Sequence, residues 1–120
     1  MMTHTRVPAD HLPLKHEVLM ILLVLAEGPR HGYAILGEVE RRSGGETVVQ
    51  TGALYRHLKR LLGDQLITET SPPRSAATDE RRRFYVTTAL GRAVLRAELE
   101  RMARVMRAAR AVVPNRPRLA

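Results

Sequence analysis

The chain has 120 residues, 44% hydrophobic and 27% charged, enough for one compact domain with an apolar core and too few for two. Twenty Lys and Arg against 12 Asp and Glu leave a formal charge of +8, which points to polyanionic partners: DNA, RNA or an acidic membrane surface. With no cysteine, disulfides, thiolate zinc sites and a cysteine nucleophile are excluded.

Residues 1–11 lack periodicity and read as a flexible tail. Pro13 suits the first turn of a helix, which runs from Leu14 to Glu27 with no breaker before Gly28-Pro29. Its apolar residues surround the helix instead of forming a stripe, so it is buried on more than one side. In a domain this small, Leu19, Leu22 and Leu23 are candidates to face a second subunit. The apolar run Val18 to Ala26 is well short of the roughly 20 residues of a membrane span. No basic segment with a cleavage site precedes it. The expectation is a soluble cytoplasmic protein with no membrane partner.

A second helix is predicted over His31 to Arg42, with Tyr33, Ile35, Leu36 and Val39 inward and Ser43-Gly44-Gly45 ending it. Glu46 to Gln50 reads as a short strand. Thr51 is placed as the N-cap of a third helix to Leu62, with Gly63 just beyond its end. Two helices joined in this way form a helix-turn-helix arrangement. Leu66 to Thr70 and Arg81 to Thr87 then read as strands of one hairpin, separated by a loop over Ser71 to Asp79. Thr88 is expected to cap a last helix through about Val113, with Pro114 and Pro117 marking a flexible tail at 114–120.

The fold class is therefore mainly α with a small β-hairpin: a winged helix-turn-helix over 12–87 and an added C-terminal helix over 88–113. Charge follows the same division. Residues 1–43 hold five cations and five anions, 44–86 seven and five, and 87–120 eight and two. The first third is neutral scaffold, and the positive field belongs to the middle and the end.

On the third helix, 100° steps place Leu54, Leu58, Leu61 and Leu62 on one side. Arg56 and Arg60 fall opposite, near Gly52 and Ala53, with Lys59 on the flank and Tyr55 at the boundary. Small residues at the start of the helix, Thr51 and Gly52 among them, permit close approach to a major groove. Guanidinium forks there can reach guanine edges or phosphates. A solvated amphipathic helix has the same pattern, but its place between a helix-turn and a hairpin favours DNA. On the returning strand, alternation sends Arg82, Phe84 and Val86 one way and Arg81, Arg83 and Tyr85 the other. The three arginines suit phosphate or minor-groove contact, and equally a charged edge that resists aggregation.

In the last helix Leu95, Leu99, Met102, Met106, Ala109 and Val113 recur at heptad spacing, widened by Val94, Val105 and Val112. A helix of about 25 residues extends some 37 Å, more than this domain can cover, so its far half is expected to meet another chain. The histidines His4, His11, His16, His31 and His57 make no metal-ligand spacing, and no metal or cofactor is expected. His31 is placed to bond a helix-start backbone group. No nucleophile elbow, phosphate-cradling loop or Ser/His/Asp order is present, and Gly44-Gly45 reads as a turn, so the chain does not read as an enzyme.

The runs ILLVLAEGPRHGYAIL (Ile21 to Leu36), TGALYRHLKRLLGDQLI (Thr51 to Ile67) and RRFYVTTALGRAVL (Arg82 to Leu95) together resemble the PadR family of bacterial transcriptional regulators. The Gly-Pro-x-His-Gly-Tyr turn, the Leu-Tyr-x-x-Leu helix and the paired aromatics before Thr-x-x-Gly carry the resemblance, which extends over residues 12–113. It implies a winged-helix homodimer, usually a repressor, bound to double-stranded operator DNA and open to an unidentified small-molecule effector. The C-terminal helix would pack on the partner's first and last helices. The chain looks like the short subgroup. With no Trp, and no aromatic after Tyr85, it lacks the interface tryptophan on which some relatives stack flat ligands. The rival readings are a winged-helix sensor or protein-interaction module without operator binding, and a non-specific polyanion binder.

Overall fold

The computed structural model describes residues 7–72 and 83–113. A 3₁₀ turn at Pro8–His11 leads to helix α1 (His16–Glu27), strand β1 (Arg30–His31), helix α2 (Gly32–Arg42) and helix α3 (Thr51–Gly63). Strands β2 (Ile67–Thr70) and β3 (Phe84–Thr87) follow, then the long helix α4 (Ala89–Val112). No helix among the described residues is long and apolar enough to cross a membrane.

Helix α1 is apolar all round because its own chain covers it: α2, α4 and β3 pack against it. Ile21, Leu22, Val24 and Leu25 are fully buried there. This corrects the expected intersubunit role of Leu22, which has no exposed surface to offer a partner. Leu19 and Leu95 are nearly as enclosed, and Leu23 is partly buried against the same core. The expected loose tail is also revised. Pro8–His11 forms its turn against α4, with the Val7 amide donating to Asp10 Oδ2 at 2.9 Å.

The sheet is three-stranded and antiparallel in the order β1-β3-β2, with β3 central. Thr70 faces Phe84 and Ile67 faces Thr87 on one edge of β3, while Arg30 faces Tyr85 and His31 faces Phe84 on the other. The predicted strand at Glu46 to Gln50 does not form. Thr47 and Val49 are buried and Val48 exposed, so the segment alternates as an extended chain does, but Arg30–His31 occupies the free edge of β3. Phe84 and Tyr85, neighbours on β3, are both buried, so both faces of the strand are covered there. Arg81 and Arg82 lie outside the described residues, as does the tail at 114–120.

Local signals set most of the ends. Ser43-Gly44-Gly45 closes α2, with both glycines at positive φ. His31 Nδ1 accepts the Ala34 amide at 3.4 Å, the backbone bond expected of it. Thr88 Oγ1 accepts the Gly91 amide at 3.0 Å and so caps α4. For α3 the cap position is Gln50, without a side-chain bond, and Thr51 is already helical.

Gly91 is required by close approach. A Cβ there would stand 2.0 Å from the Leu66 carbonyl oxygen, which accepts the Thr88 amide at 3.0 Å. That contact seats the start of α4 on the strand entry.

Candidate nucleic-acid interface

Helix α3 is anchored by Leu54, Leu58 and Leu61, all buried, with Leu62 partly so. Its remaining surface presents Thr51, Gly52, Tyr55, Arg56, Lys59 and Arg60, each exposed. Gly52 leaves room along this face: a Cβ there would sit 3.5 Å from Arg56 Nη1, an ordinary contact, so the guanidinium lies over the first turn. The leucine-and-arginine division read from the periodicity is thus the division between core and solvent.

Two tethers hold α3 at its flanks. On one side His57 Nε2 lies 2.9 Å from Glu17 Oε1 of α1. On the other, Tyr55 packs over the start of α2, where a Cβ on Gly32 would come within 2.9 Å of the Tyr55 hydroxyl. Tyr55 is 50% exposed, so its ring is shared between this packing and the surface. Tyr33, expected inward, is instead 73% exposed. Gly32, Ile35 and Val39 carry the inward line of α2, and Tyr33 falls off that line. A side-chain-free residue at the inward position was the available signal, since a glycine in a helix-start turn marks close approach.

The cations divide into paired and unpaired. Arg42 forms ion pairs with Glu27 and with Glu38 (3.1 Å), Arg41 pairs with Glu38 at 2.6 Å, and Arg30 with Glu27 at 3.7 Å. Hydrogen bonds from Arg41 and Arg42 hold the Glu38 carboxyl at about 2, and the bond from Arg42 lowers Glu27 as well. At the base of the wing, exposed Arg83 reaches Glu69 at 3.5 Å. Burial, and then the charge of Glu69, push the neighbouring Tyr85 phenol up. Arg56, Lys59 and Arg60 have no ion-pair or hydrogen-bond partner among the described residues. Unpaired guanidinium and ammonium groups on one helix face are free to meet phosphates or base edges.

On α4 the apolar seam emerges from the core after Glu98. Leu99, Met102 (36%), Met106 (52%), Ala109 and Val113 are all exposed, and Val105 and Val112 with them. Glu98 itself was missed by sequence reasoning. It is 1% exposed, accepts the Leu14 amide at 2.7 Å and pairs with Arg101. A carboxylate on the edge of an apolar stripe gives no sequence signal that distinguishes a buried clamp from a surface charge. Among the described residues no group of three His, Cys, Asp or Glu side chains could hold a metal ion.

Comparison with known proteins accords with this geometry. An uncharacterized 37.1 kDa protein of transposon Tn4556 from Streptomyces fradiae is 37% identical over 87 residues, covering 72% of this chain and 23% of that protein. The chain therefore spans under a quarter of that relative's length. A PadR family transcription regulator from Clostridium difficile superposes with a TM-score of 0.68 at 20% identity, covering 82% of this chain and 98% of the other. Bacillus subtilis PadR in complex with operator DNA superposes with a TM-score of 0.60 at 21% identity, covering 81% and 60%. At these identities the structures share the winged-helix fold. The model of the transcriptional regulator PadR-like family, which groups regulators and not enzymes, matches residues 21–97, more than half of the chain. The chain belongs to the PadR-like family of transcriptional regulators.

Proposed function

We propose that the protein is a sequence-specific, double-stranded DNA-binding transcriptional regulator that acts as a homodimeric repressor. The unpaired cationic face of α3 carries this reading: Arg56, Lys59 and Arg60 stand exposed on a helix whose opposite side is locked in the core. The fold is shared with a PadR solved in complex with operator DNA, which supports a DNA-binding role. Thr51, Gly52 and Tyr55 complete the contact surface at the groove, and Arg81, Arg82 and Arg83 extend it along the backbone. The dimer is assigned to the exposed part of the α4 seam, Leu99, Met102, Met106, Ala109 and Val113. The enclosed Leu19, Leu22 and Leu95 support that helix from within.

The test is a titration of the protein against a duplex of its own upstream region and against a scrambled duplex. Arg56→Ala with Arg60→Ala should lose the preference for the upstream region without unfolding, since each direct contact contributes about 1–3 kcal/mol. A double variant that protects the same site with unchanged affinity would place the recognition face elsewhere. Equal, weak binding of both duplexes by the parent protein would favour the polyanion binder, and no binding the sensor or interaction module.

A further inference from the structure

We propose that the cleft between the N-terminal segment and α3 seats a phosphate of the DNA backbone, with Lys15 as its ligand beside Arg56 and Arg60. The inference rests on α3 being the DNA-contacting helix. It adds a contact from the part of the chain whose charge sums to zero.

The cleft has a volume of about 480 Å³. One wall is the stretch from Asp10 to Val18, and the other is the side of α3 that carries Arg56, His57 and Arg60. Both signs of charge line it, but they are not equally available. Asp10 accepts the Val7 amide, Glu17 behind the wall is paired with His57, and Asp64 is also engaged. Lys15, Arg56 and Arg60 are exposed and have no partner among the described residues. Lys15, Arg56 and Arg60 thus bring three unpaired positive groups to one opening, against the two engaged carboxylates of Asp10 and Asp64.

Lys15 is also held in register with α3. The Leu14 amide is bound by Glu98 of α4 at 2.7 Å. His16 Nε2 lies 2.8 Å from Thr47 Oγ1, and Glu17 reaches His57 on α3 itself at 2.9 Å. The residue between these three tethers has a fixed backbone and a free ammonium. A compact ammonium suits a phosphate as a point charge and carries no base information. Arg56 and Arg60 belong both to the cleft and to the outward face of α3, so a duplex lying on that face brings its backbone to this opening. A free small anion would need only the cleft; the DNA backbone uses the cleft and the helix face together.

The experiment compares Lys15→Gln, Lys15→Arg and Arg107→Gln in the full chain. Each is titrated with the upstream and scrambled duplexes over a range of salt concentrations, and its melting temperature is recorded. Arg107 is an exposed cation of α4 and controls for net charge. Lys15→Gln should make the slope of log affinity against log salt shallower by about 0.9 per subunit, which at 0.15 M salt is about a fivefold loss of affinity per subunit. The loss should be equal on both duplexes, with unchanged melting. Lys15→Arg should restore the slope, and Arg107→Gln should leave it unaltered. An unchanged slope in Lys15→Gln, when Arg56→Ala with Arg60→Ala does reduce it, overturns the phosphate seat and leaves the reading of α3 standing. If neither changes the slope, both fall. A loss confined to the upstream duplex overturns the seat as well, because it would mean base readout.

Discussion

Glu98 offers the sharpest test of how the helices are held together. Its carboxylate is 1% exposed where α4 crosses the N-terminal segment, and it accepts the Leu14 amide at 2.7 Å and the Arg101 Nε–H. Glu98→Ala removes the acceptor of both donors and leaves a void in a closed contact. Each hydrogen bond to a charged group contributes about 1.5–3 kcal/mol, and the void adds to the loss, so a total of at least about 3 kcal/mol is expected. Glu98→Gln retains an acceptor of nearly the same volume for Leu14 and gives up the ion pair, at a cost of about 1 kcal/mol. Against a total stability of about 5–15 kcal/mol the first loss is large, and it should lower the melting temperature by roughly 10 °C. Urea unfolding followed by circular dichroism at pH 7 ranks the three proteins. The Arg101 hydrogen bond holds the Glu98 carboxyl below the usual glutamate range. A carboxylate depressed in the folded state stabilises above its unfolded pKa and loses that contribution as pH falls through its folded value. The gap between the parent protein and Glu98→Gln should therefore be constant from neutral pH down to the ordinary glutamate range and close below it. An alanine variant within about 0.5 kcal/mol of the parent, or a gap that widens in acid, would refute the clamp.

Gly91→Ala should destabilise the fold by about 2–4 kcal/mol, because the new Cβ meets the Leu66 carbonyl and must displace the capped first turn of α4. Thermal unfolding measures it, and a variant as stable as the parent would show that α4 can move freely there. Met102→Glu with Met106→Glu should leave each chain folded, since both positions are exposed in the single chain, but should prevent association. Burying even one unpaired charge costs several kcal/mol, about a thousandfold in affinity, so sedimentation equilibrium at micromolar protein should find monomers with weakened operator binding. Persistence of the dimer would move the interface away from this seam.

What the sequence determined by itself is what depends on near neighbours. The periodicity of Leu54, Leu58 and Leu61 was enough to orient α3, because a helix amphipathic in sequence has one low-energy way to meet a core. Thr88 and the glycines after Ser43 are legible for the same reason: caps and turns are chemistry within a few residues. The heptad seam of α4 could be read as a stripe, but only the tertiary structure showed where along it the chain's own core stops. The structure also decided the third strand, since Arg30–His31 is a strand only through its pairing with Phe84 and Tyr85, and an extended run at Glu46 to Gln50 is not one because that edge is taken. Tyr33 was turned outward by the inward line through Gly32, Ile35 and Val39, and Glu98 was drawn inside by an amide at Leu14, far away in sequence. Lys15 and Arg60, far apart in sequence, line one cleft beside the contact of Glu17 with His57. Periodicity reports the average environment along one element. Which edge is left open and which charge finds a partner are settled only when the elements pack against one another.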